Sequence, residues 1–209
     1  MKKYDAIIFD FDGVILDSLK IKEQGFRDIF AEFPKSQVEG LLNYHRLHGG
    51  ISRFVKIKYF FEEIRKEVVP PEEERKYAEN FSKIMKESLI NKNYLILEIL
   101  DLIKKLNFKK IPCHIASGTE DRELKFLAEA LGIKDYFKTI EGSPTPKEKL
   151  VRGILKNHDY DNSRCILIGD SMTDYEAAKA NRIEFCGYGN SEIEKLGQQK
   201  LIKELLGEK

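Results

Sequence analysis

The sequence predicts an α/β protein: a parallel sheet with helices on both faces and a block of helices inserted after the first strand. Three observations carry this prediction. A short run of β-formers, Ala6-Ile7-Ile8-Phe9, leads into a loop dense in Asp and Gly. Residues 18–92 then hold no strand-like run, only stretches of helical periodicity broken at Pro34, Gly49-Gly50 and Pro70-Pro71. From Asn93 onward strand-like and helix-like segments alternate, which is the rhythm of βαβ units.

Taken in order, Ala6 to Phe9 is expected as a strand buried on both faces. The insert should contain about four helices; its clearest member opens after Ser52, where Phe54, Ile57, Phe61 and Ile64 form one apolar face. Ile96, Ile99, Leu100, Ile103 and Leu106 make the next helix, 111–116 a strand, and Leu124, Leu127, Ala128 and Leu131 a helix closed by Gly132. A short strand near 137–140, a helix from Pro146, a strand over 165–168, a helix from Thr173 and a strand near 183–186 complete the alternation. Capping boxes are expected at Thr145 with Glu148, Thr173 with Glu176, and Ser191 with Glu194. The domain division that follows is 1–17 and 93–209 for the sheet-bearing core and 18–92 for the helical insert. Sheets of this kind place their sites at the carboxyl ends of the strands.

Composition narrows the function. With 42% hydrophobic and 34% charged residues the chain is a globular protein with a well-solvated surface. Its 36 basic and 35 acidic residues give a net charge of +1, so no general attraction for nucleic acid or an acidic membrane exists, and an anionic ligand needs a local site. No apolar run approaches the roughly 20 residues of a membrane helix. Cys113, Cys165 and Cys186 form an odd set without CxxC spacing beside apolar runs, as expected of buried thiols in a reducing compartment. The start, Met1-Lys2-Lys3-Tyr4-Asp5, lacks a signal-peptide core, and a cytoplasmic protein is expected.

The chemistry concentrates in four places. The loop Asp10-Phe11-Asp12-Gly13 sets two carboxylates in one crevice, where like charges call for a cation. The loop Gly169-Asp170-Ser171-Met172-Thr173-Asp174 adds two more at another strand end, and an all-oxygen set suits Mg²⁺ completed by a substrate phosphate. Ser117-Gly118-Thr119 offers hydroxyls and backbone N–H groups at an expected helix start, a cradle for phosphate oxygens. Lys147 opposes the helix dipole in a first turn, a local violation that an anion would offset.

This ordered set resembles the haloacid dehalogenase-like (HAD-like) hydrolase superfamily: DxDG with Asp10 and Asp12, a strand-terminal Ser117, a helix-borne lysine, and GDxxxD with Asp170 and Asp174. The likeness spans nearly the whole chain, and the insert is similar to the helical cap of the phosphoglycolate phosphatase and β-phosphoglucomutase branch. The resemblance implies a Rossmann-like core with strand order 5-4-1-2-3. It also implies Asp10 as nucleophile forming an aspartyl-phosphate, and Asp12 as general acid and then base. Mg²⁺ would be held by Asp10, the Asp12 carbonyl and Asp170, with Asp174 as further ligand or support. Ser117 and a lysine would bind the phosphoryl oxygens, with Gly118 and Thr119 beside them.

The family often places its lysine just before a Pro-x-Pro, whereas Ser143 stands there in this chain. Lys147 and Lys149 are therefore the candidates, and Lys147 is preferred for its place in the first turn. Dehalogenases of the superfamily lack the second aspartate, so Asp12 implies phosphate chemistry.

The basic half of the insert, five Lys or Arg against one acid between Lys35 and Lys58, is the half expected to face an anion. It contains His45, Arg46, His48, Gly49, Gly50 and Arg53, with Gly49-Gly50 allowing close backbone approach. A similar Gly-x-Ser-Arg segment in the β-phosphoglucomutase branch contacts the remote part of the substrate, so the resemblance makes His48, Gly49, Gly50 and Arg53 candidates for substrate binding. The expectation is a Mg²⁺-dependent phosphomonoester hydrolase acting on a small sugar or hydroxy-acid phosphate. The alternatives are a phosphomutase using the same phosphoenzyme and a non-enzymatic phospho-receiver.

Overall fold

Every residue from Ala6 to Phe9 is fully buried as strand β1, and its alternating side chains serve two separate cores. Ile7 and Phe9 pack with α5 (Leu97–Phe108) and α6 (Asp121–Ala130) on one side of the sheet; Ala6 and Ile8 pack with α7 (Lys147–Asn157) and α8 (Met172–Ala180) on the other. That two-sided burial is why the run carries no polar residue. The computed structural model describes residues 4–198 and 201–207, so Met1, Lys2 and Lys3, on which part of the start-of-chain expectation rests, lie outside the described residues.

The sheet is five-stranded and parallel in the order β3-β2-β1-β4-β5, with β2 Cys113–Glu120, β3 Thr139–Ser143, β4 Cys165–Gly169 and β5 Glu184–Gly187. It is the expected order read from the other edge. Phe9 pairs with Ile115 on one side and Ile168 on the other, so Asp10, Ala116-Ser117 and Gly169-Asp170 follow at one level of the sheet, although β2 itself runs on to Glu120. The three cysteines are free and buried. Two short helices, α9 (Ser191–Glu194) and α10 (Leu201–Leu206), follow β5. No helix among the described residues is long and apolar enough to cross a membrane.

Between β1 and α5 lie α1 (Leu19–Ile29), α2 (Lys35–Leu47), α3 (Arg53–Tyr59) and α4 (Pro71–Ser88). Ser52 caps α3, accepting from the Phe54 N–H. The helix then widens into a π turn over Phe60–Arg65, which ends at Lys66 in the left-handed region. The wider turn lets the adjacent Phe60 and Phe61 both enter the core between α1, α2 and α4, where the Phe60 ring packs at a tilt against Phe30.

Several expectations are corrected. β2 runs on to Glu120, so Ser117-Gly118-Thr119 is strand backbone and not a helix start; its pairing with β3 slips between Ala116 and Glu120, and α6 begins only at Asp121. The capping boxes also shift. Pro146 precedes α7 without a side-chain cap, Asn190 caps α9, and the box on α8 is Ser171 with Asp174. On α8 and α9 the actual cap lies nearer the strand end than expected, by two residues and by one, because the chain turns into its helix as soon as the sheet stops; on α7 the boundary moves one residue the other way, to Pro146.

The insert is tied to the core by a buried pair. The Arg53 guanidinium of α3 donates to both carboxylate oxygens of Glu123 of α6, at 2.6 and 2.7 Å, and to Ser82 Oγ of α4 at 2.5 Å. Removing one partner of such a pair strands a buried charge. Glu123→Leu is therefore expected to cost about 3–5 kcal/mol in denaturant unfolding, and Arg53→Met combined with Glu123→Leu to recover most of it. Additive losses in the double variant would show that the two side chains do not act as a pair.

Candidate active site

Asp10 is the first residue past β1 and is 2% exposed. Its Oδ1 accepts the Phe11 N–H at 2.7 Å, and its Oδ2 faces Lys147 Nζ at 2.8 Å. Lys147, at the start of α7, also reaches Asp174 Oδ1 at 2.5 Å, whereas Lys149 is exposed to solvent. The first turn that looked electrostatically unfavourable is thus set between two buried carboxylates. Burial disfavours the Lys147 ammonium, but Asp10 and Asp174 outweigh it and raise its pKa.

Asp170 follows β4 directly. Its carboxylate has no hydrogen-bond or ion-pair partner among the described residues, and one oxygen each of Asp10, Asp170 and Asp174 falls within 4.8 Å of the others. Burial and mutual repulsion drive the acids toward the neutral form. Asp10 is raised to about 7 by burial and by Asp174, and Asp170 to about 8 by burial, Asp10 and Asp174. Three hard oxygen donors short of positive charge fit a divalent cation such as Mg²⁺. Asp174 is also structural: its Oδ2 accepts from the Ser171 N–H and hydroxyl, closing the α8 cap. Gly13 allows this crowding, since it holds φ +77° and a Cβ there would sit 2.1 Å from Asp170 Oδ2.

Asp12 has different partners. Its carboxylate accepts from Ser18 Oγ and Thr119 Oγ1, each at 2.6 Å, and pairs with Lys22 Nζ of α1. Burial raises its pKa, but Lys22 and the two hydroxyls prevail and hold it at about 2. Thr119 Oγ1 also accepts from Lys22 at 2.7 Å. Ser18, at the N-cap position of α1, makes no side-chain cap and turns its hydroxyl to Asp12. Ser117 is buried beside them, its Oγ accepting the Thr119 N–H at 3.1 Å. Lys22 was not singled out in the sequence; its spacing one turn beyond Ser18 on an amphipathic helix carries no mark of what it touches.

The insert closes over these residues. A Cβ on Gly118 would lie 2.1 Å from the Gly50 carbonyl oxygen, and Thr173 Oγ1 donates to the Gly49 carbonyl at 2.7 Å, so the glycine pair rests on the core loops. A cavity of about 270 Å³ remains, reached by Asp10, Asp12, Asp170, Lys22, Lys56 and Arg53 among others. The size suits a small metabolite.

Of the remaining insert candidates, His48 is exposed with its ring on the Tyr44 carbonyl, His45 is buried, Arg46 is bound to Glu23 and Glu39, and Arg53 is held by Glu123. His114, on β2, bonds Thr139 and Tyr160 away from the cavity.

Comparison with known proteins follows the same outline. The family model for haloacid dehalogenase-like hydrolases matches residues 7–188. The chain is 27% identical over 195 residues to the phosphorylated carbohydrates phosphatase of Thermotoga maritima, covering 86% of this chain and 82% of that protein. Its fold is similar to that of β-phosphoglucomutase from Clostridium difficile, with a TM-score of 0.76 at 21% identity over 98% of this chain and 97% of that one. A "predicted phosphatase" from Clostridium acetobutylicum is similar at a TM-score of 0.75 and 18% identity, over 98% of this chain and 99% of that one. With its sheet order, its paired aspartates at two adjacent strand ends and a family match across most of its length, this chain belongs to the haloacid dehalogenase-like hydrolases.

Proposed function

We propose that the chain hydrolyses phosphomonoesters of small metabolites, sugars or hydroxy acids, through an aspartyl-phosphate on Asp10, with Mg²⁺ as cofactor. The observation that carries this reading is Asp10 itself: a buried carboxylate at the centre of the sheet, oriented by the Phe11 N–H and by Lys147, and facing the unpaired carboxylate of Asp170. The phosphorylated-carbohydrate phosphatase activity named for the Thermotoga relative supports the substrate class.

In this reading an Asp10 oxygen attacks phosphorus, the ester oxygen leaves, and water later releases inorganic phosphate from the acyl phosphate. Lys147 lies between the nucleophile and the incoming phosphoryl oxygens and offsets charge on both. The Ser117 hydroxyl and the Gly118 N–H would offer hydrogen bonds to the remaining oxygens, the Thr119 N–H being donated to Ser117 Oγ. Asp12, ionised by its contact with Lys22, is in the form that takes a proton from the attacking water. Protonation of the leaving oxygen through the same carboxylate requires the Lys22 contact to loosen as the ester enters. Asp10, Asp170 and the Asp12 carbonyl would hold Mg²⁺, with Asp174 anchoring Lys147 behind them. When bound, the ion supplies the positive charge that lets a phosphate dianion approach a carboxylate. The insert 18–92 acts as a cap over the cavity and excludes water.

A panel of phosphorylated metabolites assayed for phosphate release, with Mg²⁺ and with chelator, tests this directly. Release that needs Mg²⁺ and falls by about a thousandfold or more in a folded Asp10→Asn variant is expected. Full activity in Asp10→Asn would remove the nucleophile, and isomerisation of a hexose phosphate without phosphate release would make the enzyme a mutase.

The acid cluster also sets a pH dependence in metal-free protein. Asp10 and Asp170 bind protons more tightly folded than unfolded, so their contribution to stability is full below the ordinary carboxylate value of 3.8 and is lost as pH rises to about 7 and about 8. Thermal unfolding in chelator should shift to lower temperature between about pH 5 and about pH 8, and either Asp170→Asn or added Mg²⁺ should flatten that fall. An equally steep fall in Asp170→Asn would place its origin elsewhere.

A further inference from the structure

The cations around the cavity are matched to carboxylates, with one exception. Lys147 is shared by Asp10 and Asp174, Lys22 pairs with Asp12, Arg46 with Glu23 and Glu39, and Arg53 with Glu123. Lys56, on α3, is 4% exposed and lines the same cavity, and no carboxylate lies within ion-pair distance of its Nζ among the described residues. Its one hydrogen-bond partner is neutral: Nζ donates to His45 Nδ1 at 2.7 Å, and burial together with the charge of Lys56 holds the His45 ring well below its usual pKa, at about 3.

A buried ammonium without a counter-charge is an expensive arrangement. Burial and the charge of Lys22 push Lys56 down to about 7, with Asp12 and Asp170 offsetting only part of the effect. Both members of the pair come from the insert, Lys56 from α3 and His45 from α2, whereas the phosphoryl-binding groups come from the core. Its neighbour Ile57 is fully buried, and Phe81 is buried along the same cavity wall. Arg53, for its part, already has both Glu123 oxygens on its terminal nitrogens.

We propose that Lys56, oriented by His45, binds a second negatively charged group on the substrate, carried by the alcohol portion and remote from the transferring phosphoryl group. The inference rests on the phosphomonoester reading above and narrows its substrate class to esters bearing a carboxylate or a second phosphate. The anion completes the charge pairing of the cavity, so such a substrate also favours the closed position of the insert. A neutral sugar phosphate leaves Lys56 uncompensated and binds more weakly.

Matched pairs that differ in one charged group test this. One pair is phosphoglycerate against glycerol phosphate, which isolates a carboxylate; the other is a hexose bisphosphate against its monophosphate, which isolates a phosphate. The readouts are KM and kcat for wild type, Lys56→Met and Lys56→Arg, together with calorimetric binding to the unreactive Asp10→Asn protein and to its Lys56→Met double variant, which needs no turnover. The charged member of at least one pair should be favoured about tenfold or more by wild type, mainly through KM. The ratio within that pair should fall to within about twofold in Lys56→Met and return in Lys56→Arg. Because the effect is read as a ratio, a general loss of activity cancels.

No preference in wild type, a preference that survives Lys56→Met, or one lost equally in Lys56→Arg overturns the assignment. Failure of the phosphatase reading would look different: no turnover of any ester, including nitrophenyl phosphate, whatever the calorimetric ratios.

Discussion

Three carboxylates held within 4.8 Å of one another, Asp10, Asp170 and Asp174, with Lys147 as their nearest cation, are the constraint around which the rest is arranged. The sheet does not let them separate. Phe9 and Ile168 are paired residues of neighbouring parallel strands, so the aspartates that follow leave the sheet side by side. Asp174 is held one helical turn further on by the cap it makes with Ser171. One ammonium cannot balance this set, which is why Asp10 and Asp170 favour the protonated form without a metal and why the site suits the joint arrival of a cation and a phosphate.

The insert completes the site by supplying charge that the core lacks. Lys22 reaches from α1 to Asp12 and Thr119, and Arg53 reaches from α3 to Glu123, so two of its basic residues make polar bonds across to the core. The Gly50 backbone lies directly against Gly118, where any side chain would hold the layers apart, and Gly49 and Gly50 rest on the side chains of Ser171, Thr173 and Lys147. Cap position and active-site electrostatics are therefore one problem: moving the insert away removes Lys22 from Asp12 and exposes both ends of the Arg53–Glu123 pair.

Much of the core was legible because the two central strands that carry the acids, β1 and β4, are short, apolar and followed at once by Asp10 and Asp170. Asp10, Asp12 and Asp170 stand out by that rule, and Lys147 by its opposition to a helix dipole. The reading faltered where local signals compete. Ser117 to Thr119 look like a helix start because Glu120, Asp121 and Glu123 follow, yet pairing with β3 keeps them extended. Thr173 and Ser191 each had an acid three residues on, but Ser171 and Asn190, nearer the strand ends, took the cap positions.

From the order of its residues alone, then, the chain specifies which regions alternate between strand and helix and which acids stand at strand ends, because periodicity and turn chemistry are local properties. Which cation each acid receives was settled only by tertiary structure. Arg53, the most conspicuous candidate for substrate, is bound to Glu123 across 70 residues of sequence, and Lys22 is joined to Thr119 across 97. Lys56, inconspicuous in the sequence, is left facing the cavity without a carboxylate. Charge pairing depends on distance and burial in three dimensions, and neither is written in the spacing of residues along the chain.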